Sequence, residues 1–312
     1  MDSVARHSSA TKTGPSTGKW RSLIRANFLV LTVVIVLVGL SAAVYERRSF
    51  DAPRAILVLI GALLAHISAN VFNNYFDYKM GIDLATEKTP FSGGVDVLVN
   101  GQIRPPTAFL LGSCCLLGAI LIGVYFVRIL PWPLIAIIAY GAFSICFYTP
   151  YLSRLHGMSE IIAGTNFGLM ALAAYVTQTG VISATAISIF IPTSILVCLL
   201  LFLNEFPDAK ADGLAGRRHL ILLLGNKGAS RLYVLLLVTV YISIALPVLA
   251  KLNPISNMIA LGTMPLAWKA GRIVMKSYDE IDHLVHALAL NVLVVLGTLA
   301  LISLGFFIGL FL

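Results

Sequence analysis

The feature that most constrains this chain is the gathering of its apolar residues into runs of about 20, the length needed to cross a bilayer core. Nine runs can be marked, at 23–45, 54–76, 107–127, 131–150, 159–179, 184–206, 230–250, 254–271 and 286–311. Of 312 residues, 58% are hydrophobic and 12% charged, whereas about a quarter are charged in a soluble globule. The expected fold is therefore all-α: a polytopic membrane protein with about nine transmembrane helices around a central cavity. Residues 20–312 form this membrane domain. Residues 1–19, rich in Ser, Thr, Gly and Lys without an apolar core, read as a disordered cytoplasmic tail. The first apolar run is too long, and lacks the cleavage pattern, for a removable signal peptide.

In a soluble protein the net charge of +8 would raise nucleic-acid binding. Here topology explains it, and no nucleic-acid partner is expected. With the N-terminus in the cytoplasm, 17 of the 22 Lys and Arg residues fall on that side, as the positive-inside rule requires. The four cysteines, Cys114, Cys115, Cys146 and Cys198, all lie inside apolar runs and read as small hydrophobes, not as a disulfide or zinc framework.

Two polar stretches break the apolar pattern. Asn204, Asp208 and Asp212 are four apart at the end of the sixth run, which stacks them on one helix face with about 5–6 Å between neighbouring Cβ atoms. Asn70, Asn73 (or Asn74) and Asp77 do the same at the end of the second run, and Asp83 follows. Polar groups at such depth are expensive and usually functional. The two stripes are expected to face each other across a cavity and hold a divalent metal with a diphosphate. Mg²⁺ is commonly bound by one or two carboxylates plus substrate phosphates. Lys88, Arg217 and Arg218 lie close by in sequence to neutralise the remaining phosphate charge. Both stretches lead into long charged connections, 78–106 and 208–230, and this recurrence suggests an internal four-helix repeat. Tyr148 and Arg154, at the end of the fourth run, read equally as interfacial anchors or as cavity-facing diphosphate contacts. Asn166 reads as either a packing hydrogen bond or a substrate contact, and His66 is read as a packed core histidine. An ion-coupled transporter is the competing non-enzyme reading, but it predicts acids near mid-span on discontinuous helices.

At these residues the sequence resembles the UbiA superfamily of intramembrane prenyltransferases. The first motif of that family is matched by Asn73-Asn74-Tyr75-Phe76-Asp77 followed by Asp83, and the second by Asn204, Asp208 and Asp212 followed by Gly216-Arg217-Arg218-His219. Several positions depart from the common pattern. Asn74 stands where many members have Asp, Asp83 lies six rather than four residues after Asp77, and Lys88 stands for Arg. Arg218-His219 replaces Lys-Thr, and Glu205 replaces a second Asn. The longer first motif is similar to that of the MenA-type branch, which prenylates 1,4-dihydroxy-2-naphthoate. The resemblance implies Mg²⁺-dependent transfer of a prenyl group from a polyprenyl diphosphate to an aromatic acceptor in lipid-quinone biosynthesis. It implies Asp77, Asp83, Asp208 and Asp212 as metal ligands and Asn73 as a further catalytic residue. Lys88, Arg154, Arg218, Tyr148 and Asn204 are implied as diphosphate contacts. Within the superfamily a glycerol-phosphate lipid, a haem or chlorin acceptor, or cyclisation without an acceptor are the alternatives.

Overall fold

The computed structural model describes residues 16–82, 95–130, 132–214 and 216–312. Ten α-helices follow one another: α1 (Ser16–Leu23), α2 (Leu29–Arg47), α3 (Ala52–Lys79), α4 (Pro105–Ile129), α5 (Pro133–Phe147), α6 (Met158–Thr179), α7 (Ala184–Leu214), α8 (Leu220–Leu249), α9 (Met264–Lys276) and α10 (Ile281–Ile308). The described residues contain no strand, and seven helices are long and apolar enough to cross a membrane. The fourth and eighth expected spans are the short members. The fourth becomes α5, while the eighth divides into a 3₁₀ segment, Ile255–Thr263, and α9, with Pro265 in the first turn of α9. Proline is tolerated there because the first-turn N–H has no intrahelical partner in any case.

Local chemistry sets the ends. Asp51 caps α3 by accepting from the Arg54 N–H at 3.0 Å, and prolines occupy the first turns of α3, α4 and α5. Gly180 closes α6 at φ +73°, a left-handed conformation that glycine adopts without strain. α6 packs most extensively on α7 and α2, and glycine allows the approach. A Cβ on Gly39 would run into the Ala171 carbonyl oxygen, and one on Gly164 into that of Ser194.

Two expectations change here. The charged connection 208–230 is largely helical, because α7 continues to Leu214 and α8 starts at Leu220, kinked at Gly225 where φ is +68°. Hydropathy marks where a helix leaves the bilayer, not where it ends, and the good helix formers Ala209 to Ala211 carry α7 onward. Residues 16–19, assigned to the tail, belong to α1; residues 1–15 lie outside the described region. All four cysteines are free; Cys115 is buried, whereas Cys114 faces outward.

Helices α2 to α7 surround a cavity of about 980 Å³, while α8, α9 and α10 pack behind them, α10 against α2, α7 and α9. Behind the cavity, the Tyr233 hydroxyl donates to Asn291 Oδ1 at 2.9 Å and the Asn291 amide donates to the Leu199 carbonyl at 3.0 Å. This links α8, α10 and α7 through satisfied buried polar groups.

Candidate active site

The cavity is apolar along most of its depth and polar at one end. Leu116, Ile120, Phe126, Leu134, Ile138 and Met170 line the apolar part, while Asn73, Asp77, Asn204, Asp208, Asp212 and Arg217 gather at the other. The helical register explains the gathering. α7 runs unbroken through Pro207, so Asn204, Asp208 and Asp212 reach the cavity from one face, while Asn73 and Asp77 reach it from the last turns of α3. The acids thus sit near helix ends, unlike the mid-span acids of the transporter reading.

Arg217 joins the two stripes. Its guanidinium pairs with Asp77 on one side and with Asp212 at 2.9 Å on the other. Burial opposes the guanidinium charge, but Asp77 and Asp212 outweigh it and hold Arg217 protonated more firmly than usual. Its Nε is buried and has no hydrogen-bond partner among the described residues, which leaves one donor for an anion. His219 Nε2 lies 3.7 Å from Asp212 Oδ2, and burial pushes its imidazole below the ordinary range against the pull of Asp212.

The other predicted residues divide. Tyr148 lines the cavity, and so do Asn166 and His66. Asn166 Oδ1 accepts from the Ser144 hydroxyl at 2.8 Å, and His66 Nδ1 lies 2.7 Å from Thr32 Oγ1. Asn73 donates to Thr149 at 3.3 Å. Arg154 is exposed beside the Met80 sulfur, and Arg218 is exposed with Nη1 2.9 Å from His156 Nε2; neither lines the cavity. Asp83 and Lys88 lie outside the described residues.

Asn74, the position that departs from the common motif, has a different task. Its amide donates to the Leu23 carbonyl at 2.8 Å and its oxygen accepts from Arg25 at 2.8 Å, so it docks the end of α1 beside the cavity. A carboxylate could accept from Arg25 but could not donate to Leu23. Asn74→Ala is expected to cost about 1–3 kcal/mol, the usual cost of unsatisfying a buried polar group. Asn74→Asp should recover only part of that loss. Thermal midpoints in detergent measure both; equal midpoints for Asn74→Ala and the parent would remove this docking role.

Two further buried residues escaped the sequence reading as site residues. Glu160, in the first turn of α6, is fully buried, and Glu205 is nearly so. A charged residue inside an apolar run is itself a signal of function. The donors at the polar end suit Mg²⁺. They are hard oxygens, two of the carboxylates are near enough for one cation (the Arg217 guanidinium) to bridge them, and buried Asn204 Oδ1 has no partner among the described residues.

Similarity to known proteins extends over most of the chain. The sequence model of the UbiA prenyltransferase family matches residues 32–288. The 1,4-dihydroxy-2-naphthoate octaprenyltransferase of Bacillus subtilis is 31% identical over 210 residues, covering 66% of this chain and 66% of that protein, just under two thirds. The 2-carboxy-1,4-naphthoquinone phytyltransferase of Synechocystis is 25% identical over 277 residues, 87% of each chain. A UbiA homolog from Archaeoglobus fulgidus, solved bound to GPP and Mg²⁺, shares the fold with a TM-score of 0.63. It is 15% identical, over 94% of this chain and 98% of that one.

Proposed function

The chain belongs to the UbiA prenyltransferase family, and from that premise we propose that it transfers a prenyl group from a polyprenyl diphosphate to an aromatic acceptor of the 1,4-dihydroxy-2-naphthoate type, with Mg²⁺ as cofactor. The observation that carries this reading is the convergence of Asp77 and Asp212 on one guanidinium at the polar end of an apolar cavity. The acceptor class follows the relatives' names, and the metal and diphosphate follow the ligands held by the Archaeoglobus fulgidus protein. The excess of Lys and Arg at this end of the helices supports a cytoplasmic site.

Asp77, Asp208 and Asp212, with Asp83, would hold Mg²⁺, whose chemistry is to neutralise the diphosphate and make it a better leaving group. Asn73 and Asn204 position the phosphate oxygens. Arg217 donates to the charge that develops on the departing diphosphate, in a site where fixed donors outperform water. The prenyl tail lies along Leu116, Ile120, Leu134 and Ile138, and the volume is near the upper end for ligand pockets, with room for a ring beside the chain. The same apolar walls keep water from the allylic cation, and Phe167 and Tyr148, which line the cavity, are rings of the kind that stabilise a cation.

The test is to incubate purified protein and Mg²⁺ with a panel of prenyl diphosphates and acceptors and read products by mass. The expected result is a prenylated naphthoate product that forms only with Mg²⁺ present. Products confined to a glycerol-phosphate lipid, or to cyclised prenyl with no acceptor, would reject the aromatic reading.

A further inference from the structure

Beside the aspartates lies a second group of buried donors that prenyl transfer, as described above, does not use. Glu160 comes from α6, Glu205 from α7 and His219 from the link before α8. One ligand atom from each lies within 4.8 Å of the other two. The residues are 0%, 7% and 1% exposed respectively. Glu160 is satisfied, since the Ser159 hydroxyl donates to Oε2 and the Leu220 N–H to Oε1, both at 2.7 Å. His219 is not, and Glu205 is satisfied only in part, through contacts with Ser159 and Glu160. Glu205 Oε2 and both ring nitrogens of His219 are buried without a hydrogen-bond partner among the described residues. Leaving such groups unpaired is costly. Native proteins rarely keep an arrangement of this kind without something to compensate it. Glu205, His219 and Ser159 border the cavity, so an ion can reach them from it.

We propose that Glu160, Glu205 and His219 form a second metal site, adjoining the aspartates through Asp212 but with its own ligands, for a divalent transition ion of the zinc or manganese class. Two carboxylate oxygens and an imidazole nitrogen make a mixed donor set that such ions accept, whereas Mg²⁺ favours oxygen alone. Three protein ligands leave the remaining coordination positions to water from the cavity. Ser159 and the Leu220 N–H already hold Glu160 in place, as partners of metal ligands do. The consequence is mechanical. The link 216–219 is otherwise tied to the 153–157 turn by the Gly157 N–H donating to the Arg218 carbonyl at 2.8 Å and a longer Arg218–Ser153 contact of 3.4 Å. An ion on His219 anchors this link to α6 and α7, two residues from Arg217, and so fixes the guanidinium between the aspartates.

The experiment uses tag-free, full-length protein in detergent, stripped with chelator and kept in millimolar Mg²⁺ so that oxygen-only sites are filled. Co²⁺ is titrated and followed by visible absorption, with Zn²⁺ uptake measured by elemental analysis. One Co²⁺ per chain with ligand-field bands showing nitrogen coordination is expected, along with a higher thermal midpoint. Glu205→Gln and His219→Gln should each weaken Co²⁺ binding at least about 100-fold. Ser159→Ala, which keeps all three ligands, should weaken it less and guards against variants that fail to fold. Asp208→Asn, one helical turn from Glu205 but outside the ligand set, should weaken Co²⁺ binding far less than either ligand substitution. No uptake in the presence of Mg²⁺, or uptake that survives both ligand substitutions, would overturn the proposal. So would uptake abolished by Asp208→Asn, which would assign the ion to the aspartates.

Discussion

Asp208→Ala is expected to lower prenyl transfer by at least about 10²–10³-fold at saturating substrates while leaving a folded, monodisperse protein. Asp208 is one helical turn from both Asn204 and Asp212 and lines the polar end of the cavity. Its carboxylate is one of a small set of hard oxygen donors there, and a metal held with waters and substrate phosphates tolerates the loss of few protein ligands. The residue is only half-buried, so truncation should change stability by no more than about 1 kcal/mol. Product formation read by mass, beside the thermal midpoint, separates the two effects. Chelation should reproduce the loss in the parent protein, and added Mg²⁺ should reverse it there but not in the variant. Turnover within a fewfold of the parent would remove Asp208 from the site. Asp77→Asn should be comparably inactive, but its interpretation is less direct because Arg217 loses one of its two carboxylate partners.

Why Asp208 was legible in the sequence and other site residues were not is a matter of periodicity. A spacing of four carries through an unbroken helix, so Asn204, Asp208 and Asp212 could be placed on one face without knowing the fold, and Pro207 does not break the register. The same reasoning brought Asn73 and Asp77 to the end of α3. Periodicity says nothing about a five-residue link. Which of the adjacent Arg217 and Arg218 turns inward depends on Gly216 at φ +82° and on the hydrogen bond from Gly157 to the Arg218 carbonyl. The Arg218 side chain lies on the exposed side, beside His156. Asn74 looked like a missing carboxylate because its partners, Leu23 and Arg25, lie far away in sequence. Glu160 was visible as a charge in an apolar run, but its neighbours Glu205 and His219 come from two other segments. Local pattern thus recovered the helices and one face of the site, whereas pairings between segments required the fold.

Those pairings make Arg217 the most discriminating position to alter. Arg217→Ala should reduce kcat/KM by about 10²–10³-fold, because it removes a fixed donor to the departing diphosphate. It should also destabilise the protein by about 3 kcal/mol, the lower end for breaking a buried ion pair, since Asp77 and Asp212 are left facing each other without their cation. Both carboxylates are nearly inaccessible while the guanidinium keeps 18% exposure, which is why the lower end applies. Arg217→Lys restores the charge but not the planar fork that meets two carboxylates at once, and should recover only part of the activity. Arg218→Ala is the control: an exposed side chain outside the cavity should change kcat/KM within about threefold and stability within about 0.5 kcal/mol. The sign of the Mg²⁺ effect adds a readout independent of turnover. Without the guanidinium, the repelling carboxylates gain more from a bound cation, so Mg²⁺ should raise the thermal midpoint of Arg217→Ala by more than that of the parent. A smaller Mg²⁺ shift in the variant would mean that the guanidinium does not screen Asp77 from Asp212, and Arg218→Ala proving the more damaging substitution would mean that Arg217 is not the diphosphate contact.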